Sequence, residues 1–304
     1  MPKLPQPIPY QGSKRNLARE IFAFLPNRID RLVEPFAGSA ALSVYAAANQ
    51  LADRYYLNDL NAPLIALLEL IVNDPERIAH LYSELWHAQL GQERGFYDDV
   101  RERFNRTQAP EYLLFLLARC VKASVRYNNA GAFNQGPDNR RRGRHPVSMR
   151  QEIMAKSRLL RGRTLFSHVD YRELPARLNP ATDVVYMDPP YQGTSANRDR
   201  RYLGGIDVNE FASFLAELNA LEVMYAVSYD GHKGGKRYGI TLPSYLCLRH
   251  IEINAGRSSQ STLLGEQHIT YESLYLSPAL VGRLNSRHSA VLFQPEQASF
   301  EFDR

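Results

Sequence analysis

Cysteine is nearly absent from this chain of 304 residues, which holds only Cys120 and Cys247. The two lie far apart among apolar neighbours, which argues against a disulfide framework and against a four-cysteine zinc site, and predicts two ordinary core thiols. Long apolar runs are lacking too. No apolar segment follows Met1 and no run of eighteen apolar residues occurs, so neither a signal peptide nor a membrane span is predicted and a soluble, cytoplasmic protein is expected. There is no complete G-x-G-x-x-G and no P-loop, which disfavours a dinucleotide or a nucleoside triphosphate as ligand. No internal repeat is present. A large excess of one charge is also missing, with 37 Lys and Arg against 32 Asp and Glu. The basic residues are uneven, however: Arg140, Arg141, Arg142 and Arg144 crowd one segment, and Arg198, Arg200 and Arg201 another. A polyanion partner and a plain solvated loop both fit that pattern.

What is present is an apolar fraction of 44%, enough to bury a core in one large domain or two smaller ones. Residues 31–36 read as a strand, followed by a small-residue turn and an alanine-rich helix. Tyr55–Asn58 is a second strand candidate ending at Asp59, after which Pro63 opens a helix to Val72. Phe166–Val169 and Val184–Met187 are further strands, the second closed by Pro189 and Pro190. Asp207 with Glu210 forms a capping-box-like start for a helix over Phe211–Leu221, and Val223–Ser228 follows as a strand. This alternation predicts an α/β fold with a largely parallel sheet. Between its halves, Pro75–Val125 is helical in pattern, and residues 126–146 are rich in Asn, Gly, Arg and Pro. Residues 61–149 therefore read as a helical insertion with a long polar loop, or as helices that merely cover the sheet. The stretch after Pro278 has no clear period and is expected to wrap the surface or fray.

The most informative residues are Asp188, Pro189, Pro190 and Tyr191, placed directly after the apolar strand V-V-Y-M. The carboxyl end of a parallel strand is where open α/β sheets bind ligands. Two prolines fix the backbone, so the Asp188 carboxylate, the Pro189 carbonyl and the Tyr191 ring can share one small volume. That volume suits an exocyclic amine on an aromatic base, since carboxylate and carbonyl accept its two N–H donors and the ring stacks. The bland alternative is a strand terminator with a capping aspartate and a packed tyrosine. At the first turn, Glu34, Pro35, Phe36, Ala37, Gly38 and Ser39 allow a cofactor to approach the backbone. Asp59 stands about twenty residues beyond, where an acid can bind ribose hydroxyls.

With these motifs in this order, the chain resembles the Dam-type (alpha-group) DNA adenine-N6 methyltransferases, from about Tyr10 to Leu276. Tyr10-Gln11-Gly12-Ser13-Lys14 is similar to the group's N-terminal motif, in which the aromatic and the lysine contact the methionine end of S-adenosylmethionine. Val33–Ala40 is similar to its glycine motif, and Leu57–Asn61 to the strand whose acid holds the ribose. His168-Val169-Asp170-Tyr171 resembles the segment bordering the cofactor's adenine, and Asp188–Tyr191 the catalytic tetrapeptide. Arg126, Tyr127, Asn128, Asn129, Phe133 and Asn134 resemble the DNA-contacting loop. In GATC-specific members an arginine follows the Tyr-Asn pair by two positions; here Asn129 and Ala130 stand in that interval, so the resemblance does not carry over the target sequence.

The resemblance implies a Rossmann-like methyltransferase domain over residues 1–60 and 150–278, a helical target-recognition insertion over 61–149, and a tail over 279–304. It implies S-adenosylmethionine as cofactor, no metal, and an adenine flipped out of double-stranded DNA as substrate, in a monomeric, nucleoid-associated enzyme of bacterial or phage type, with a cognate restriction endonuclease as an optional partner. Tyr127 and Phe133 are the expected stacking or wedge groups, and Arg140, Arg141 and Arg142 the expected phosphate contacts. Cytosine-N4 methylation shares the donor geometry and stays open. A non-haem iron oxygenase can be argued from His168 and Asp170 with His250 or His268, but leaves the diproline site unexplained. A DNA-binding protein without catalysis is the third alternative, against which Asp188 and Tyr191 speak.

Overall fold

The computed structural model describes residues 4–190, 206–233, 236–238, 242–257 and 269–292. Its sheet is built from β1 (Ile29–Glu34), β2 (Ala52–Asn58), β3 (Thr164–Ser167), β4 (Asp183–Met187), β5 (Met224–Lys233), β6 (Lys236–Tyr238), β7 (Arg249–Arg257) and β8 (Ile269–Leu276). The order is β3-β2-β1-β4-β5-β8-β7, with β6 paired to β5. The first five strands in that order are parallel, and β8 runs antiparallel to both β5 and β7. From β1 the chain winds outward through β2 and β3, then crosses back to lay β4 on the other side of β1. That reversal is a topological switch point, where a crevice opens beyond the strand ends.

Burial on both faces explains why the central strands are near-continuous apolar runs. Leu32, Val184 and Tyr186 pack on one face with α2 (Ala41–Ala48) and α1 (Ala18–Phe22). Val33, Val185 and Met187 pack on the other against α8 (Val208–Ala220). Asp207 caps α8 by accepting from the N–H groups of Asn209 and Glu210. A third cluster is formed by α3 (Ala62–Asn73), α4 (Pro75–Ala88), α5 (Glu93–Thr107), α6 (Pro110–Arg119) and α7 (Pro146–Leu160), and it includes Ala37, Ala40 and Leu57 from the sheet's strand ends. The helical layer therefore shares a core with the sheet. The chain is an α/β protein with a Rossmann-like arrangement.

Three expectations are corrected. The helical pattern read through Val125 stops at Arg119, because Lys122 and Ala123 take positive φ and the Val121 N–H bonds to the Gly136 carbonyl instead of continuing the helix. The segment after Pro278 is not a frayed tail over its described part but α9 (Pro278–Leu292), capped by Ser277 Oγ on the Leu280 N–H and anchored by the buried Leu280. Cys120 is a buried thiol as expected, whereas Cys247 is exposed, since Leu246 takes the inward position of that short turn.

Two polar contacts fasten the parallel strands, one at the amino end of β4 and one at the carboxyl end of β2. Arg31 on β1 forks onto the buried Asp183 of β4, with Nε 2.8 Å from Oδ1. Asn58, at the end of β2, donates from Nδ2 to the carbonyls of Pro35 (3.1 Å) and Val169 (3.0 Å). Its Oδ1 accepts from Ser167 Oγ (2.6 Å) and from the Val169 N–H (3.0 Å). One amide thus ties together the ends of three strands. Replacing it by the isosteric acid, Asn58→Asp, removes both donors and faces two carbonyls with a carboxylate. The unfolding free energy should fall by about 2–4 kcal/mol, read from the urea midpoint at unchanged slope.

Candidate active site

Beyond the carboxyl ends of β1, β2 and β4 lies one cavity of about 320 Å³. All eleven residues expected about a cofactor line it: Tyr10, Lys14, Glu34, Pro35, Phe36, Ala37, Gly38, Ser39, Asp59, Asp170 and Tyr171. Asp188 and Pro190 line it as well, and Pro189 is buried beside them. Tyr191 lies outside the described residues, as do Arg198, Arg200, Arg201 and His268.

The turn after β1 owes its shape to its neighbours. Gly38 has φ +49°, and a Cβ there would stand 3.0 Å from Cε1 of Tyr10, whose ring presses on this backbone. The Gly38 N–H donates to Asp59 Oδ2 (2.9 Å) while Oδ1 accepts from the Asn61 N–H (3.0 Å). Burial raises the Asp59 carboxyl pKa against those two hydrogen bonds. Ser39 presents its carbonyl to Lys156 Nζ at 2.8 Å. Glu34, also buried, caps α2 by accepting from the Ser43 N–H (2.9 Å) and Oγ (2.5 Å). Burial pushes the Glu34 carboxyl up to about 7 and the Lys156 ammonium down to about 7, and each charge opposes the other's shift. Glu34 therefore supports the turn from beneath more than it faces a ligand.

Asp170 borders the cavity, but its carboxylate is engaged. It accepts from Arg172 Nε (2.9 Å) and Nη2 (2.8 Å), and that pairing holds it below the usual carboxylate range. It also caps a short turn through the Arg172 N–H instead of ending a strand. With Asp170 taken by Arg172 and His250 stacked on Tyr275, no triad of metal ligands forms among the described residues. Tyr171 stands in an aromatic group with Phe36, Phe211 and Phe214, at centroid distances of 5.3, 5.9 and 5.0 Å. Its Oη is buried without a hydrogen-bond partner. At the opposite side, Lys14 Nζ lies 3.2 Å from Asp188 Oδ1 and 3.0 Å from Glu272 Oε2. The expected methionine-end lysine is thus also a neighbour of Asp188.

The donor set fits S-adenosylmethionine. A glycine backbone without a Cβ, a strand-end acid, a pair of aromatic rings with an orphaned hydroxyl and an ammonium surround one cavity of small-ligand size.

The expected DNA loop divides into two parts. Residues 127–133 form a hairpin held by Asn128, whose Oδ1 accepts from the N–H groups of Ala130 and Ala132. Asn128, Asn129 and Asn134 are exposed and Arg126 is half-buried. Tyr127 and Phe133 correct the expectation of free wedge groups: they are 8% and 1% exposed. Phe133 meets Phe104 edge-on at 5.9 Å, and Tyr127 donates to Asn61 Oδ1 at 3.3 Å. The second part carries Arg140, Arg141 and Arg142, whose side chains are 93%, 66% and 65% exposed beside Asp138 or Glu93. Its backbone is fixed from below, where Gln89 Nε2 donates to the Arg142 carbonyl (2.9 Å) and Tyr82 Oη to that of Arg144 (2.6 Å). A Cβ on Gly143, at φ +82°, would meet Tyr82 Oη at 2.9 Å.

Sequence reasoning missed Asn58 as a tie, Lys156, Glu272 and Arg172. Only Lys156 left a signal, as a lone lysine on the buried stripe Ile153, Ser157 and Leu160 of α7.

Residues 10–230 match the family described as D12 class N6 adenine-specific DNA methyltransferase. The chain is 25% identical over 285 residues to type II methyltransferase M.FokI of Planomicrobium okeanokoites, covering 86% of this chain and 41% of that protein. It is 28% identical over 191 residues to DNA N-6-adenine-methyltransferase of Escherichia phage P1, covering 60% and 23%. With retron Ec67 DNA adenine methylase of Escherichia coli it shares 31% identity over 196 residues, covering 62% and 64%. The chain thus spans between 23% and 64% of the length of these three relatives. Because the family match runs through the Gly38 turn, Asp59, the arginine loop and Asp188, the chain belongs to the D12 class of N6 adenine-specific DNA methyltransferases.

Proposed function

We propose that this chain transfers a methyl group from S-adenosylmethionine to N6 of an adenine flipped out of double-stranded DNA. The observation that carries the reading is the convergence of Asp188, at the end of β4, with the Gly38 turn and Asp59 on a single cavity. The 1–60 and 150–278 segments act as the catalytic domain and 61–149 as the target-recognition layer. The enzyme works as an intracellular monomer, with or without a partner endonuclease.

Bound S-adenosylmethionine supplies an electrophilic methyl group. Asp59 would hold the ribose hydroxyls, the Phe36 and Tyr171 rings would border the adenine, and Tyr10 and Lys14 would hold the methionine end. Asp188 and the Pro189 carbonyl would accept the two N–H bonds of the target amine, leaving its lone pair free to attack the methyl carbon as the donor's sulfur–methyl bond breaks and the sulfur keeps that electron pair. The Asp188 carboxylate would stabilise the positive charge that grows on that nitrogen and accept the proton it sheds, leaving the neutral N-methyl amine. Tyr191 stacks on the base. Because transfer is direct, neither cysteine has a part in it. Exposed ion pairs such as those of Arg140, Arg141 and Arg142 contribute little, so backbone phosphates readily replace Asp138 and Glu93 as their partners.

Asp188→Asn keeps the size of the side chain and loses its charge. Methyl transfer should fall by about 10²- to 10³-fold or more, with cofactor affinity in calorimetry nearly unchanged. Wild-type turnover in that variant, or a product methylated on a ring carbon, would overturn the reading. Replacing Arg140, Arg141 and Arg142 together with Ala should weaken DNA binding and reduce the slope of log affinity against log salt by roughly 0.9 for every phosphate that the variant no longer neutralises. A slope equal to that of the wild type makes the cluster a solvated face.

A further inference from the structure

Glu272 belongs to β8, one of the antiparallel strands that neither the cofactor cleft nor the diproline motif requires. Its carboxylate nevertheless reaches the reaction site. Lys14, 8% exposed, stands between Asp188 Oδ1 at 3.2 Å and Glu272 Oε2 at 3.0 Å, and the two acids are 22% and 24% exposed. The buried Glu272 Oε2 takes no hydrogen bond, so its contact with Lys14 is one of charge rather than of aligned N–H···O geometry. We infer that Glu272 is a positioning residue for methyl transfer, which draws the Lys14 ammonium off Asp188 so that this carboxylate can accept the target amine.

The inference rests on the methyltransferase reading above and follows from competition for one oxygen. Lys14 and Asp188 both line the cavity, and an ammonium 3.2 Å from Asp188 Oδ1 competes with an incoming amine N–H for the lone pairs of that oxygen. Desolvated charges cost several kcal/mol when a partner is withdrawn without replacement. Glu272 offers the ammonium a second carboxylate already within ion-pair distance, so the transfer of Lys14 from one acid to the other needs little movement. The side chain acts through Lys14 and does not touch the substrate. Its loss should therefore affect the chemical step more than the binding of either substrate.

The test is a double-mutant cycle on the full chain, read by single-turnover methylation of DNA with labelled cofactor. Glu272→Gln keeps the shape and removes the charge. Its rate should fall about tenfold or more while cofactor and DNA affinities change less than about twofold. In a Lys14→Met background the same substitution should change the remaining rate by less than about twofold. A Glu272→Gln enzyme with the wild-type rate overturns the assignment, as does an equal loss in both backgrounds, which would show action independent of Lys14. A Gln variant that no longer unfolds cooperatively overturns it too, since Glu272 would then be a structural contact. If the wild-type chain transfers no methyl group at all, the methyltransferase reading itself fails, and that result is distinct from all of these.

Discussion

The buried amide of Asn58 is the contact on which the rest of the site depends. It joins Pro35 after β1 to Ser167 and Val169 at the end of β3, and the backbone carbonyl of the same residue accepts from the Ala37 N–H at 2.8 Å. Every polar atom of the side chain is used, which is the condition under which a buried amide stabilises a fold instead of straining it. Three strand ends are thereby held in one plane of contact. The Gly38 turn, Asp59 and Asp170 each lie within three residues of an atom so fixed. The mouth of the cavity is accordingly built from short segments anchored on rigid strands, the arrangement that holds a ligand's groups to a narrow range of positions.

The parallel half of the fold is legible in the sequence because burial on both faces leaves a strong mark. Val184–Met187 is uniformly apolar and stopped by two prolines, and the structure ends β4 at Met187. Asp207 reads as a cap, and it caps α8. The antiparallel strands β7 and β8 leave no such mark. Their half-buried residues mix with charged ones such as Glu252 and Glu272, and the period of two is blurred by the register shift between Asn254 and Gly256. The end of α6 is hidden for another reason: four of the six residues 120–125 beyond it are apolar, and tertiary partners, Gly136 and Gln11, take backbone groups of that segment out of the helix.

At the site, position is legible and partnership is not. Strand ends and small-residue turns identify where a ligand can approach a sheet, and the residues so chosen converge on one cavity. Which side chain pairs with which depends on contacts between distant segments. Asp170 is held by a residue two places away, yet nothing in the order of residues favours that pairing over a ligand. Tyr127 and Phe133 look alike as free aromatic rings in a polar loop, and the helices beneath that loop draw both inward through Asn61, Asn105 and Phe104. Lys14 and Glu272 are 258 residues apart in a chain of 304. No local pattern records such a meeting.

A division of the chain at residues 60 and 149 follows its composition but not its forces. α7 starts at Pro146, directly after the arginine loop, and carries Lys156 to the Ser39 carbonyl behind the cavity. A buried ammonium tolerates little displacement, because each partner it loses leaves a charge in a medium that cannot solvate it. Lys156 has one hydrogen-bonded carbonyl and the nearby Glu34 carboxyl as partners, and Glu34 is in turn committed to Ser43 at the start of α2. Rotating the helical layer against the sheet would break this chain of contacts at its least solvated point. The loop that carries Arg140, Arg141 and Arg142 and the turn that borders the cavity are therefore fixed to the same helix, and the two surfaces keep a common frame although they stand far apart in the sequence.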